Sequence, residues 1–401
     1  MIVNFENRRH REWTVCLFAG VYSLLLLILR GEQYYVDTWS YAAAWDVVSR
    51  GIPDIFRTPV YPCIIGMARW LFGERLSWLA VCAVQIAVLL PSTVCFCRLA
   101  ERLSGGGRPA FVVSILYAAC SALWTNCLLT ESLAISGTVI LLWFTVSLYD
   151  RLSVVSAAGA AVTTALLVFL RPAMIYILPM LVVWWAVAGI AERKGRQAAA
   201  GIAGTVAVIL MVLLYMMSYS RHYGVFSLSS VSDINRLAAA KIYAVESPAV
   251  IADESLREDL VNDADTVILC RRLKEYYKSH PESVAKGVFV NWYRSSRFRL
   301  RDNYMPFASN TLSEIFSLRM SDLYLFMVLC TLLVVCSAVR ERRIPILTTL
   351  CVMWCVSHLF VIIVGAQAGY SRLSVPAMPV LLLLTAEVWV QFQRGRTIRL
   401  Q

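Results

Sequence analysis

The chain has 401 residues, 59% of them hydrophobic and only 16% charged, a balance too apolar for a soluble globular protein. Most of its net charge of +11 lies in short basic clusters between apolar runs. Basic residues there set membrane orientation, so no nucleic-acid partner is implied.

Arg8, Arg9 and Arg11 precede the first apolar run, and no small-residue cleavage site follows, so this run is expected to stay as an anchor. A helix crosses the hydrocarbon core with about 20 apolar residues. That criterion predicts ten spans, roughly 13–29, 77–97, 109–126, 132–149, 153–170, 173–190, 198–219, 321–339, 344–364 and 374–392. With the amino terminus inside, the cytoplasmic segments carry basic groups such as Arg98, Arg102 and Arg108, then Arg193, Lys194 and Arg196, then Arg340, Arg342 and Arg343. The expected architecture is all-α and polytopic, with short helices in the outer-face loops. Residues 1–219 form a transmembrane core with its first outer loop at 30–76, residues 220–320 a polar extracytoplasmic segment, and 321–401 the carboxy-terminal helices. Most of the twelve cysteines lie inside apolar runs as small hydrophobes, and no disulfide or zinc spacing emerges.

The first outer loop concentrates the chemistry. Asp37 is followed by Tyr41 and Trp45 at helical spacing, which puts a carboxylate and two aromatic rings on one face. Gly51, Pro53, Pro59 and Pro62 are expected to break this helix and fix the turns around Arg57. An acid, an aromatic stripe and an arginine at the mouth of a membrane bundle suit an anionic, partly apolar ligand. Asp37 fits a general base and Arg57 a phosphate clamp, since arginine binds phosphate bidentately and keeps its charge when desolvated. The bland readings are a solvated acid and interfacial aromatic anchors.

Glu131, after Thr130, falls on the same side, as do Arg171 before Pro172 and Arg372 in a later corner. A second acid divides roles with the first or holds a divalent cation, Mg or Mn, because hard cations take oxygen ligands. No cofactor is certain. The segment 220–320 mixes both charge signs and reads as helical at 238–245 and 284–293, with a break and a new start at Ser279-His280-Pro281-Glu282. Its basic end carries Arg294, Arg297, Arg299 and Arg301. His358, inside an apolar span, reads as a packing residue. Ser104-Gly105-Gly106-Gly107 lacks the lysine of a phosphate loop.

Asp37, Tyr41, the run Arg57-Thr58-Pro59-Val60-Tyr61-Pro62 ending in Leu71-Phe72-Gly73, Thr130-Glu131 and Arg171-Pro172 together resemble the GT-C superfamily. The branch most similar is glycosyltransferase family 39, which includes protein O-mannosyltransferases and bacterial aminoarabinose transferases. The resemblance implies inverting transfer of a sugar from a polyprenyl-phosphate donor to a lipid, glycan or protein acceptor on the outer face of a bacterial inner membrane. It makes Asp37 the base and Glu131 the second acid, and places Arg57, Arg171 and Arg372 on the lipid phosphate, with Tyr41, Trp45 and Tyr61 as further substrate contacts. Thr38 stands where an acidic neighbour often follows the catalytic Asp, which bears on metal dependence. The reading from another class is a lipid or glycolipid flippase, whose usual matched halves are not seen here.

Overall fold

The computed structural model describes residues 8–231, 320–341, 346–365 and 374–399, with scattered residues between 267 and 293. In chain order these form α1 (Arg8–Arg30), α2 (Val36–Val48), α3 (Val60–Ser104), α4 (Gly107–Ala122), α5 (Glu131–Asp150) and α6 (Val154–Leu170). A 3-10 turn (Pro172–Tyr176) leads into α7 (Ile177–Ala191), followed by α8 (Gly195–Tyr223), α9 (Met320–Glu341) and α10 (Ile346–Gly365). A second 3-10 turn (Val375–Ala377) opens α11 (Met378–Arg399). Both short turns start at an X-Pro step, where proline presets φ and has no amide hydrogen to leave unpaired.

Leaving aside α2, the helices fall on the ten predicted spans, and among the described residues six are long and apolar enough to cross a membrane. The chain is an integral membrane protein, all-α among the described residues. One boundary differs from expectation. The second span continues a helical stretch that begins at Val60, and the two join at Gly73 with φ 72° and ψ 170°, a left-handed backbone that glycine adopts without penalty. Pro62, expected to break structure, sits in the first turn of α3. The first amide hydrogens of a helix have no intrahelical acceptor, so a proline there removes nothing.

The bundle wraps around α3, which packs on α1, α4, α5 and α11, while α6 and α7 pack on α8. One apolar core runs continuously from Val15 of α1 to Ala386 of α11. At the end remote from α2, the expected basic clusters are tied to acids. Arg8 and Arg98 meet Glu12 at 3.0 and 2.9 Å, Arg11 meets Glu101 at 2.7 Å, and Arg102 pairs with Asp150. The pairs of Arg11, Arg98 and Arg102 join α1, α3 and α5.

The expectations for 238–245 and for Arg294, Arg297, Arg299, Arg301 and Arg372 lie outside the described residues. The break at His280 is present, with Pro281 and Glu282 helical again.

Candidate active site

α2 carries Asp37 in its first turn, and that turn is docked by hydrogen bonds to the 124–130 loop. Thr38 is wholly buried; its Oγ1 accepts the Tyr35 amide at 3.0 Å and donates to the Leu128 carbonyl at 2.9 Å. Gln33 exchanges backbone hydrogen bonds with the same loop, accepting from Leu128 and donating to Asn126. A carboxylate at position 38 would meet the Leu128 carbonyl without a hydrogen to give it, so threonine suits this junction. Gln85 of α3 holds the loop from beneath, donating from Nε2 to the carbonyls of Thr125 and Cys127 at 3.2 and 3.0 Å.

Arg57 reaches back to α2 and makes three contacts there. Its Nη2 donates to Asp37 Oδ1 at 2.7 Å, its Nε donates to Ser40 Oγ at 2.8 Å, and its guanidinium lies 4.3 Å from the centre of the Tyr41 ring. Charge pairing, a hydrogen bond and a cation–π contact thus fix one guanidinium on three sides. The Arg57 amide is itself held by Asp54, whose Oδ1 accepts from the backbone N–H of Phe56 and Arg57 at 2.9 and 2.7 Å.

A second acid and arginine pair lies deeper. Glu131, at the start of α5, and Arg171, at the end of α6, are 2% and 7% exposed, with Oε1 and Nη1 3.4 Å apart. Tyr61 stands between the two pairs: its ring meets Tyr41 edge-on with centroids 5.0 Å apart, and it lies within electrostatic reach of Glu131. The structure therefore brings Asp37, Tyr41, Arg57, Tyr61, Glu131 and Arg171 to one end of the bundle. Trp45 shares the α2 face with Asp37 and Tyr41 and lies against Gly66 of α3, so close that a methyl there would fall 2.0 Å from the indole. Tyr34 and Trp39 stack on each other at 5.6 Å, meet Trp78 edge-on and are 45% and 58% exposed. Sequence reading missed these two, and it missed Ser40, although Ser40 follows Asp37 by the three residues that align side chains on a helix. His358 is buried against the Tyr176 ring, with centroids 5.3 Å apart, as expected of a packing residue.

Among the described residues the two carboxylates belong to no cluster of cation ligands. Each already faces a guanidinium, and no three His, Cys, Asp or Glu side chains converge there.

Comparison with solved structures bears on the fold. The oligosaccharyltransferase AglB from Archaeoglobus fulgidus, in complex with an inhibitory peptide and a dolichol-phosphate, aligns with TM-score 0.55 and 14% identity. That alignment covers 97% of this chain and 51% of the archaeal one. The fold is GT-C-like. The Archaeoglobus fulgidus oligosaccharyltransferase in complex with Zn and sulfate aligns at TM-score 0.53 and 13% identity, over 96% of this chain and 50% of that one. The same enzyme tethered to an acceptor peptide with an NVT sequon aligns at 0.50 and 12%, over 97% and 50%. The GT-C-like chain thus spans about half the length of these proteins. No protein-family model and no curated protein sequence matches it.

Proposed function

We propose that this GT-C-like protein is an inverting glycosyltransferase that moves a sugar from a polyprenyl phosphate to an acceptor on the outer face of the membrane. The observation that carries the reading is the Asp37–Arg57 pair at the loop end of a GT-C-like bundle, with a second buried acid and arginine beside it. The dolichol-phosphate and acceptor peptide bound by the archaeal neighbours support a lipid-phosphate donor and a separate acceptor in general terms.

In this mechanism the acceptor hydroxyl or amine gives its proton to Asp37 as its lone pair attacks the anomeric carbon. The bond from that carbon to the phosphate oxygen breaks, and polyprenyl phosphate leaves with the electron pair on the opposite side, which inverts the configuration. Arg57 holds the carboxylate in one orientation before the reaction. Once Asp37 is protonated its pull on the guanidinium falls, so the same positive charge becomes available to the phosphate as negative charge develops there. Arg171 and Arg372 are the further phosphate candidates. Glu131 fixes Arg171 and keeps the buried guanidinium compensated until the donor enters. Tyr41 and Tyr61 are the floor of the site, while Tyr34 and Trp39 offer an exposed surface for a sugar or lipid face.

The test is transfer from a radiolabelled polyprenyl-phosphate sugar by purified protein in nanodiscs. Asp37→Asn is expected to lower kcat by roughly a hundredfold or more, the usual share of a general base, while the protein stays folded. Transfer at the original rate by a folded variant removes Asp37 as the base. Lipid translocation without transfer by the unsubstituted protein replaces the enzyme with the flippase.

A further inference from the structure

The turn that carries Arg57 is held by a part of the chain that the reaction above does not use. Three carbonyls of the five-residue turn before Thr58 accept hydrogen bonds from residues 219–230, the end of α8 and the return that follows it. Tyr223 Oη donates to Pro53 O at 2.8 Å, Tyr219 Oη donates to Ile55 O at 2.9 Å, and Ser229 Oγ donates to Phe56 O at 2.7 Å. The Ser230 amide adds a second bond to Ile55 O at 3.0 Å, and the Ser230 hydroxyl meets Tyr219 Oη. Because the Tyr219 hydrogen is spent on Ile55, the serine must donate in that contact.

The arrangement is buried rather than incidental. Tyr219, Ser229 and Ser230 are 0%, 1% and 1% exposed, and Ile55, Tyr219 and Val225 form a small apolar core of their own. Buried carbonyls without donors would be costly, so the hydroxyls and the turn specify each other. Asp54 then passes the constraint on, since its carboxylate takes the amides of Phe56 and Arg57. Val267, from the polar segment, packs on the same apolar core.

We infer that Tyr219, Tyr223, Ser229 and Ser230 are positioning residues for Arg57, a latch that keeps its guanidinium on Asp37 and so sets the rate of transfer. The inference rests on the glycosyl-transfer reading for its kinetic arm and on geometry alone for its exchange arm. The variants are Tyr219→Phe and Ser229→Ala, alone and together, each deleting a hydroxyl with little change of shape, in the parent chain and in an Arg57→Gln background.

Two measurements decide it. Hydrogen exchange by mass spectrometry should show the 53–58 peptides of the double variant exchanging roughly tenfold faster, with the remaining helices unchanged. In transfer assays the double variant should lose roughly tenfold in kcat with donor KM within about twofold, the size expected for two weakened hydrogen bonds expressed in the transition state. In the Arg57→Gln background the same substitutions should add nothing, because the latch acts through the side chain already removed. Unchanged exchange at 53–58, or losses that multiply with Arg57→Gln, overturn the latch. If the parent chain transfers no sugar, the enzyme reading falls while the exchange result still judges the latch.

Discussion

Exchanging Glu131 for Gln removes one charge from a pair that water hardly reaches. The two side chains are 2% and 8% exposed, and Nη1 lies 3.4 Å from Oε1. Unit charges at that separation attract by about 5 kcal/mol at an effective dielectric near 20. Much of that attraction repays the desolvation of both groups, so the pair adds little net stability. Removing one partner is different, because Arg171 stays charged and buried. Glu131 is the one carboxylate paired with it among the described residues. The expected loss is about 3–5 kcal/mol. Adding Arg171→Met removes the stranded charge, so the double variant should be more stable than Glu131→Gln alone. SDS-titrated unfolding in mixed micelles, read by the fluorescence of the buried Trp184, Trp185 and Trp354, measures all three proteins. A Glu131→Gln variant within about 1 kcal/mol of the parent, as for an exposed pair, refutes the reasoning. So does a double variant whose loss equals the sum of the two single losses.

The same titration should find Asp150→Asn nearly silent, within about 1 kcal/mol, because Arg102 and Asp150 are 39% and 41% exposed and water screens their pairing. Gly66→Ala puts a methyl group into the Trp45 indole and is expected to cost about 1–3 kcal/mol, with Trp45→Leu in the same chain restoring most of it. Gln85→Leu leaves the buried Thr125 and Cys127 carbonyls without their donor. It should cost about 1–3 kcal/mol and speed hydrogen exchange in the 124–130 loop.

Much of the fold was legible because a bilayer makes unusual demands on sequence. Every backbone group in the hydrocarbon must be bonded within its own helix, so apolar runs alone locate the spans. The short helix after the first span was legible for another reason, since Asp37, Tyr41 and Trp45 share its face. The run from Val60 into the second span was not legible. Pro62 signals a break everywhere except in a first helical turn, and only the helix start at Val60 makes it harmless. The site shows the same division. Asp37, Arg57, Glu131 and Arg171 stood out as charges near apolar runs, but not as the two acid–arginine pairs they form.

What residue order determined by itself was the all-α membrane class and the places of the apolar helices. Only the folded chain decided which charge meets which. Asp37 takes Arg57 and Glu131 takes Arg171, partners 20 and 40 residues away, and hydroxyls more than 160 residues distant fix the turn that carries Arg57. Hydropathy is a property of each segment alone, whereas a hydrogen bond is a property of two groups at about 3 Å, and that distance is set by the packing of the whole bundle.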